Sequence, residues 1–200
     1  DLLEERKVWF VTVHPYQAMN QPDVVMALVL HRHEFDDPTK RTNWEYYKDK
    51  SMNFSSMSYV VNAIMEKEVG DIGEAYRNFL ISAGYDLDPT LAGRGDTAEG
   101  LHGTAFGGAW MAAVFGFGGV TVSEQGLSID PRLPEHWKSL SFKLQYRQSL
   151  LDITITHQDT RVAVSGQDLS ARIYGREVTL AAGAAALQAA GDDQDVSVEV

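Results

Sequence analysis

Apolar residues in the first 116 positions recur at three-to-four spacing, the period of helices laid on a core, and from residue 120 onward they recur at every second position, as in half-buried strands. After Pro22, which suits the first turn of a helix, Val24, Val25, Ala27, Leu28 and Leu30 form one face, closed by the polar run Phe35-Asp36-Asp37-Pro38-Thr39. Val60, Val61, Ile64, Met65 and Val69 predict a helix from Ser56 through Glu68. Gly70-Asp71 breaks it before Ile72 to Leu80, so the two segments read as a helical hairpin. A loop rich in Gly, Asp and Pro follows from Asp86 to Gly95. Ala105, Trp110, Met111, Val114 and Phe115 then mark a buried helix between Glu99 and Gly116, with small residues interleaved for close packing.

After Gly118-Gly119 the short runs Val120-Thr121-Val122, Leu127-Ser128-Ile129, Phe142 to Tyr146, Leu151 to Ile155 and Val162-Ala163-Val164 alternate as strands. Pro131, Pro134 and Gly166 fall in the expected turns. The pattern predicts a helical domain over 1–119, a small antiparallel β domain over 120–183 and a flexible tail over 184–200, where alanines and Asp192-Asp193-Gln194-Asp195 offer little to pack.

Composition narrows the function classes. The chain is 44% hydrophobic, enough to bury a core, and its net charge of −11 without a basic block repels nucleic acid and anionic lipid. No apolar stretch reaches the about 20 residues of a membrane span. Without cysteine there is neither a disulfide framework nor a thiolate metal site. Cytoplasm is the expected compartment. The opening Asp1-Leu2-Leu3-Glu4-Glu5-Arg6 has neither Met nor a signal core, so the chain is expected to begin inside a larger polypeptide.

Three segments concentrate polar groups at expected helix N-termini, where unpaired N–H groups hold hydroxyls or anions. Asn20-Gln21-Pro22-Asp23 and Asn53-Phe54-Ser55-Ser56-Met57-Ser58 read equally as ordinary caps. The run from Gly95 to Gly108 is more informative, because Asp96, Glu99, His102 and Thr104 accompany five glycines, and core packing explains the glycines but not the polar set. P-loop, dinucleotide and H-E-x-x-H patterns are absent, as is a G-x-S-x-G elbow. His31, His33 and Glu34 suggest a metal only superficially, since residues two apart on a helix diverge, and no metal is expected. Trp44, Tyr46 and Tyr47 suit either sugar stacking or core packing.

At these segments the sequence resembles the C-terminal part of glycoside hydrolase family 65, which includes maltose, trehalose, kojibiose and nigerose phosphorylases. The likeness runs from about Gln21 to about Ile155. It rests on Asn20-Gln21-Pro22-Asp23-Val24, on Tyr46-Tyr47 through Ser58, on Asp96-Thr97-Ala98-Glu99-Gly100-Leu101-His102 with Gly107-Gly108-Ala109-Trp110 and Gly116-Phe117-Gly118-Gly119, and on Leu127 through Phe142. Asn20 stands where the family has Lys, and Asn53-Phe54 where it has His-Asp.

The resemblance implies an α+β multidomain fragment: the last helices of an (α/α)6 barrel followed by a small antiparallel β-sandwich domain. It implies part of an inverting disaccharide phosphorylase that uses inorganic phosphate as co-substrate, needs no cofactor, and takes its general-acid Glu from upstream of this chain, which alone is expected to be inactive. His102, Ser55, Ser56 and Thr104 would bind phosphate, and Gln21 and Asn20 the sugar. The implied partners are disaccharide, phosphate, the remainder of the catalytic domain and a second copy in a homodimer. Two other readings stand beside this one: a hydrolase of the same family with Glu99 as general base, and a non-catalytic carbohydrate-binding or structural module.

Overall fold

The computed structural model describes residues 18, 19, 21–53, 55–88 and 100–190, and the backbone of 197–199. The chain divides into two compact units, Asp1–Ala112 and Ala113–Val200. The division falls seven residues before the change of hydrophobic period, inside a π-helical turn, Ala112–Phe117.

The first unit is helical. Helix α1 (Asp23–Leu30) buries Val25, Leu28 and Val29; its cap position is Pro22, with no side-chain cap, rather than Asn20, which lies outside the described residues. Helix α2 (Asp37–Tyr47) corrects the sequence reading, in which Phe35 to Thr39 only closed the preceding helix. Asp36 accepts from Thr39 N–H at 2.8 Å and Pro38 sits in the first turn, so the polar run is a helix start. Periodicity missed it because only Lys40 and Trp44 of its eleven residues are buried. Trp44 belongs to the apolar core with Val25, Leu28, Val60, Ile64 and Met65, which settles packing over sugar stacking for that ring. Tyr46 is exposed, with the Lys50 ammonium 3.7 Å over its ring.

Helix α3 (Ser56–Val69) is the hub, buried along nearly its whole length and packed by α1, α2, α4 (Ile72–Ala83) and α5 (Gly103–Met111). Gly70 at φ 93° ends it in the left-handed conformation and Asp71 caps α4 through Glu74 N–H at 3.1 Å, which gives the expected hairpin. The α5 helix begins at Gly103, four residues later than read from the sequence. Its crossing with α3 is close: a Cβ on Gly108 would lie 2.3 Å from Val60 Cγ2.

The second unit holds two sheets. One has the order β1-β2-β6-β7 (Val120–Ser123, Gly126–Ile129, Leu169–Ile173, Arg176–Leu180), the other β3-β4-β5-β8-β9 (Ser139–Tyr146, Ser149–Thr156, Asp159–Ser165, Ala185–Ala189, Ser197–Glu199). Alternate residues Leu151, Ile153, Ile155, Val162, Ile173 and Leu180 are buried, the period-two signature of the sequence. Two expectations need correction. The unit is not wholly antiparallel, since β2 pairs parallel with β6, Leu127 opposite Ala171. The segment read as the start of a flexible tail contains β8, which pairs with β5 and buries Ala185, Ala186 and Gln188. Alanine is depleted in strands, so cross-strand pairing rather than local propensity orders this run. Entry into the unit depends on Gly119: at φ 65° a Cβ there would come within 1.9 Å of the Asp130 carbonyl oxygen.

Candidate functional site

The N-termini of α3 and α5 converge. Ser55 is the N-cap of α3 and accepts from Met57 N–H at 3.2 Å, while the buried Ser56 donates its hydroxyl to Thr104 Oγ1 at 3.4 Å across to the first turn of α5. Both helices are aligned by the Val60–Gly108 crossing, so the hydroxyls of two chain segments 48 residues apart share one place. Ser58 Oγ, one turn further along α3, is fully buried with no hydrogen-bond partner among the described residues.

His102 occupies the N-cap position of α5 and is held from below. Asp86, at left-handed φ 63° just past the end of α4, receives the His102 backbone N–H and, at 2.8 Å, Nδ1 of its ring. The Asp86 carboxylate is wholly buried while the imidazole is 44% exposed, so the carboxylate anchors and the ring is presented. Burial acts to raise the Asp86 carboxyl, but the two hydrogen bonds from His102 and its charge outweigh that and hold it below the ordinary carboxylate range. An ionised carboxylate only accepts, so Nδ1 carries a hydrogen and Nε2 is the ring's remaining polar atom. The Tyr85 ring meets the imidazole edge-on at 5.0 Å, and burial, then the Asp86 charge, pushes its phenol up. Ser82 ties α4 to α5 through the Ala105 carbonyl at 3.3 Å. Asp86 was missed from sequence; an Asp two residues beyond Gly84 suggests a left-handed turn, but nothing local predicts a partner 16 residues away.

The approach to α3 is also fixed. Asn53, at φ 50°, accepts through Oδ1 from Ser51 Oγ at 2.9 Å and from Asn62 Nδ2 at 3.2 Å. A parallel bridge pairs Met19, shortly before α1, with Ser51 of this segment. Gln21 is exposed there, and no hydrogen bond joins it to Ser56 or His102 among the described residues. Asn20 and Glu99 lie outside the described residues.

An open polar cleft of about 670 Å³ between α2, α3 and α4 was not anticipated. Its floor carries Glu66, whose two carboxylate oxygens each accept from Asn78 Nδ2, at 2.9 and 2.8 Å. Burial, only partly offset by that donor, raises Glu66 from 4.5 to about 7. Two residues on, Glu68 faces Arg32 at 3.8 Å, Lys40 at 3.3 Å and Lys67 at 3.4 Å. Burial opposes its charge, yet Lys67, Arg32 and Lys40 together hold it below the ordinary range. A step of two residues turns a helix by about 200°, so the glutamates take opposite faces and opposite shifts. The signal was available: Ser58, Asn62 and Glu66 form a polar stripe at four-residue spacing on an apolar helix.

His31 and His33 both lie against Glu34, at 3.2 and 3.7 Å, on an exposed helix end. Among the described residues no group of three or more His, Asp or Glu is arranged to hold a metal ion, and no helix is long and apolar enough to cross a membrane.

Comparison with known proteins identifies the family. Residues 4–111 match the glycosyl hydrolase family 65 central catalytic domain, and residues 120–180 match the glycosyl hydrolase family 65 C-terminal domain. A kojibiose phosphorylase of Caldanaerobacter subterraneus is 41% identical over 167 residues, covering 82% of this chain and 21% of the relative. An alpha,alpha-trehalose phosphorylase of Geobacillus stearothermophilus is 35% identical over 168 residues, covering 84% of this chain and 22% of the relative. A solved structure from the human microbiome, provisionally named a kojibiose phosphorylase, superposes with a TM-score of 0.84 at 25% identity, covering 94% of this chain and 25% of that one. The chain spans about a fifth of the length of the curated relatives it matches. Both segments, helical and β, therefore carry the same assignment, and the chain belongs to glycosyl hydrolase family 65.

Proposed function

We propose that this chain is the C-terminal part of an inverting disaccharide phosphorylase, which cleaves an α-glucoside with inorganic phosphate to give β-glucose 1-phosphate and a free sugar. The observation that carries the reading is the meeting of two helix N-termini at the Ser56–Thr104 contact, with the exposed imidazole of His102 beside it. N-terminal N–H groups, two hydroxyls and a ring nitrogen are groups suited to an anion such as phosphate. The phosphorylase names of the similar proteins point the same way.

In this reading Ser55, Ser56, Thr104 and His102 hold phosphate, and Asp86 orients His102. A phosphate oxygen attacks the anomeric carbon as the bond to the glycosidic oxygen breaks on the opposite face. That leaving oxygen takes its proton from a general-acid Glu outside this chain. Phosphate as the nucleophile removes the need for a second carboxylate to activate water. Gln21 and Asn20 serve the sugar. The helices between residues 23 and 111 are the last of an (α/α)6 barrel, which needs the rest of the catalytic domain for activity, and the full protein is a homodimer.

The test uses the full-length parent protein on kojibiose, trehalose and maltose, with and without phosphate. The expected products are β-glucose 1-phosphate and free sugar, formed only with phosphate, and His102→Ala raises KM for phosphate at least about tenfold, the loss of one charge-assisted contact. Glucose released without phosphate sinks the proposal in favour of hydrolysis with Glu99 as base. Turnover of none of the sugars sinks it too.

A further inference from the structure

A second cleft, of about 450 Å³, lies wholly within the β unit and has no part in the site above. It opens where three turns meet: Glu124-Gln125 between β1 and β2, Arg147-Gln148 between β3 and β4, and Gly166-Gln167-Asp168 between β5 and β6. The turns belong to both sheets, so the cleft is a product of the fold and not of one loop. Its volume falls within the range of small-molecule sites.

Two features show it to be preformed. Ser149 Oγ donates to the Gln167 carbonyl at 2.7 Å and accepts from the Gln167 N–H at 2.9 Å, which locks the β5–β6 turn to the β3–β4 hairpin. The hairpin itself holds Arg147 at φ 53°, in the left-handed region, at the first position of a two-residue turn where glycine is unstrained. Arginine there sets its guanidinium 5.2 Å over the half-buried ring of Tyr146, and Gln145 Nε2 supports the turn through the Arg147 carbonyl at 3.2 Å. The hairpin turn requires that left-handed conformation, so the fold itself fixes where Arg147 stands in the cleft wall.

The lining chemistry selects the ligand. Gln125, Gln148 and Gln167 each offer a donor and an acceptor, the requirement of a hydroxyl that both donates and accepts. One cation, Arg147, stands against two carboxylates, Glu124 and Asp168, so the cleft has no preference for an anion, and the chain's net charge of −11 opposes one. Tyr146, half-buried beside the Arg147 guanidinium, adds apolar ring surface to the lining for the C–H groups of a sugar. We infer that this end of the β unit binds a neutral saccharide, at a site separate from the phosphate-binding residues of the helical unit.

The experiment is saturation-transfer NMR on the full-length parent protein with maltotriose and with cellotriose, comparing wild type, Tyr146→Ala, the exposed-residue double variant Gln125→Ala/Gln148→Ala, and His102→Ala. Transfer to one of the two trisaccharides is expected in wild type and in His102→Ala. Both cleft variants are expected to weaken it about tenfold, the loss of one ring contact or of a pair of amide hydrogen bonds. Circular dichroism near 215 nm checks that the strands persist; if Tyr146→Ala does not fold, the double variant, whose two side chains are exposed, carries the test alone. Absence of transfer in wild type overturns the inference, as does transfer lost in His102→Ala but kept in the cleft variants. The second result would leave the helical site as the sugar site, so the two proposals fail separately.

Discussion

Replacing Glu66 by Gln should make the helical unit more stable above neutral pH and remove a pH dependence that wild type shows. Glu66 is only 6% exposed, and burial is the main reason its carboxyl titrates at about 7 instead of 4.5. Asn78 moderates the shift by donating to both oxygens, Asp71 adds to it and Arg77 subtracts. The sign follows from linkage. Below pH 4.5 the group is protonated in folded and unfolded chain alike and costs nothing. Between 4.5 and about 7 the unfolded chain ionises while the folded one keeps its proton, so stability falls as pH rises. Above 7 the full penalty remains, about 3 kcal/mol from a displacement of that size. Glutamine is neutral throughout and keeps an acceptor for Asn78. The variant should therefore equal wild type within about 1 kcal/mol at pH 5 and exceed it by about 1–3 kcal/mol at pH 8. The assay is urea unfolding followed at 222 nm, at pH 5, 6, 7 and 8, on wild type and variant of the same chain length, so that other titrating groups cancel in the difference. A difference between the two proteins that stays constant from pH 5 to 8 refutes the reasoning, because residue 66 would then not be the group that titrates.

Three further outcomes follow from the same packing. Glu68→Gln removes the carboxylate that Arg32, Lys40 and Lys67 share, though Lys40 keeps Asp37, and should cost about 3 kcal/mol at pH 7, read from the same urea transition; a loss below about 1 kcal/mol would show the cluster to be solvated. Because its carboxyl is held low, the contribution of Glu68 is present at neutral pH and is lost as pH falls, opposite to Glu66. Gly108→Ala drives a methyl group into Val60 and should destabilise by about 1–2 kcal/mol after the gain in helix propensity, and adding Val60→Ala should recover part of that loss; strict additivity of the two changes counts against the close crossing. Asp86→Asn keeps the shape of the His102 anchor but removes its charge, so KM for phosphate should rise in the full-length protein, and the acid-side loss of stability that a depressed carboxyl confers should shrink. An unchanged KM would mean His102 is positioned by something else.

What could be read from the sequence was what local physics determines. Val60, Ile64 and Met65 announce α3, and Leu151, Ile153 and Ile155 announce β4, because an apolar face at the period of its element needs no knowledge of what covers it. Ser55 was legible as a cap for the same reason. The helix α2 was not, since its buried positions include Lys40, which is tolerable there because Asp37 on the same helix and Glu68, 28 residues away, both accept its ammonium. The β8 strand was not, since alanines carry no strand signal until Val162 and Ala163 lie opposite them. In the candidate site His102, Ser56 and Thr104 were nominated from motif and helix ends, whereas Asp86, which holds His102, has no local mark, and Asn62 is marked only as a polar position on an apolar helix, its partner Asn53 being set by the fold.

Helix α3, which carries Ser56 of the proposed phosphate site, also buries Glu66, whose carboxyl is raised to about 7. The stripe on α3 runs Ser58, Asn62, Glu66, and its last two members connect outward: Asn62 to Asn53 on the approach to Ser55, and Glu66 to Asn78 on α4. On the opposite face Glu68 gathers cations from α2 and from the turn after α1. Close packing at the Val60–Gly108 crossing holds α3 against α5, and the polar groups add directional constraints that dispersion contacts lack. Hydrogen bonds and ion pairs at 2.8–3.8 Å fix its rotation and axial position. Since Ser56 and Thr104 come from different helices, the separation of their hydroxyls depends on that register, which gives the buried polar groups a role that packing alone does not fill.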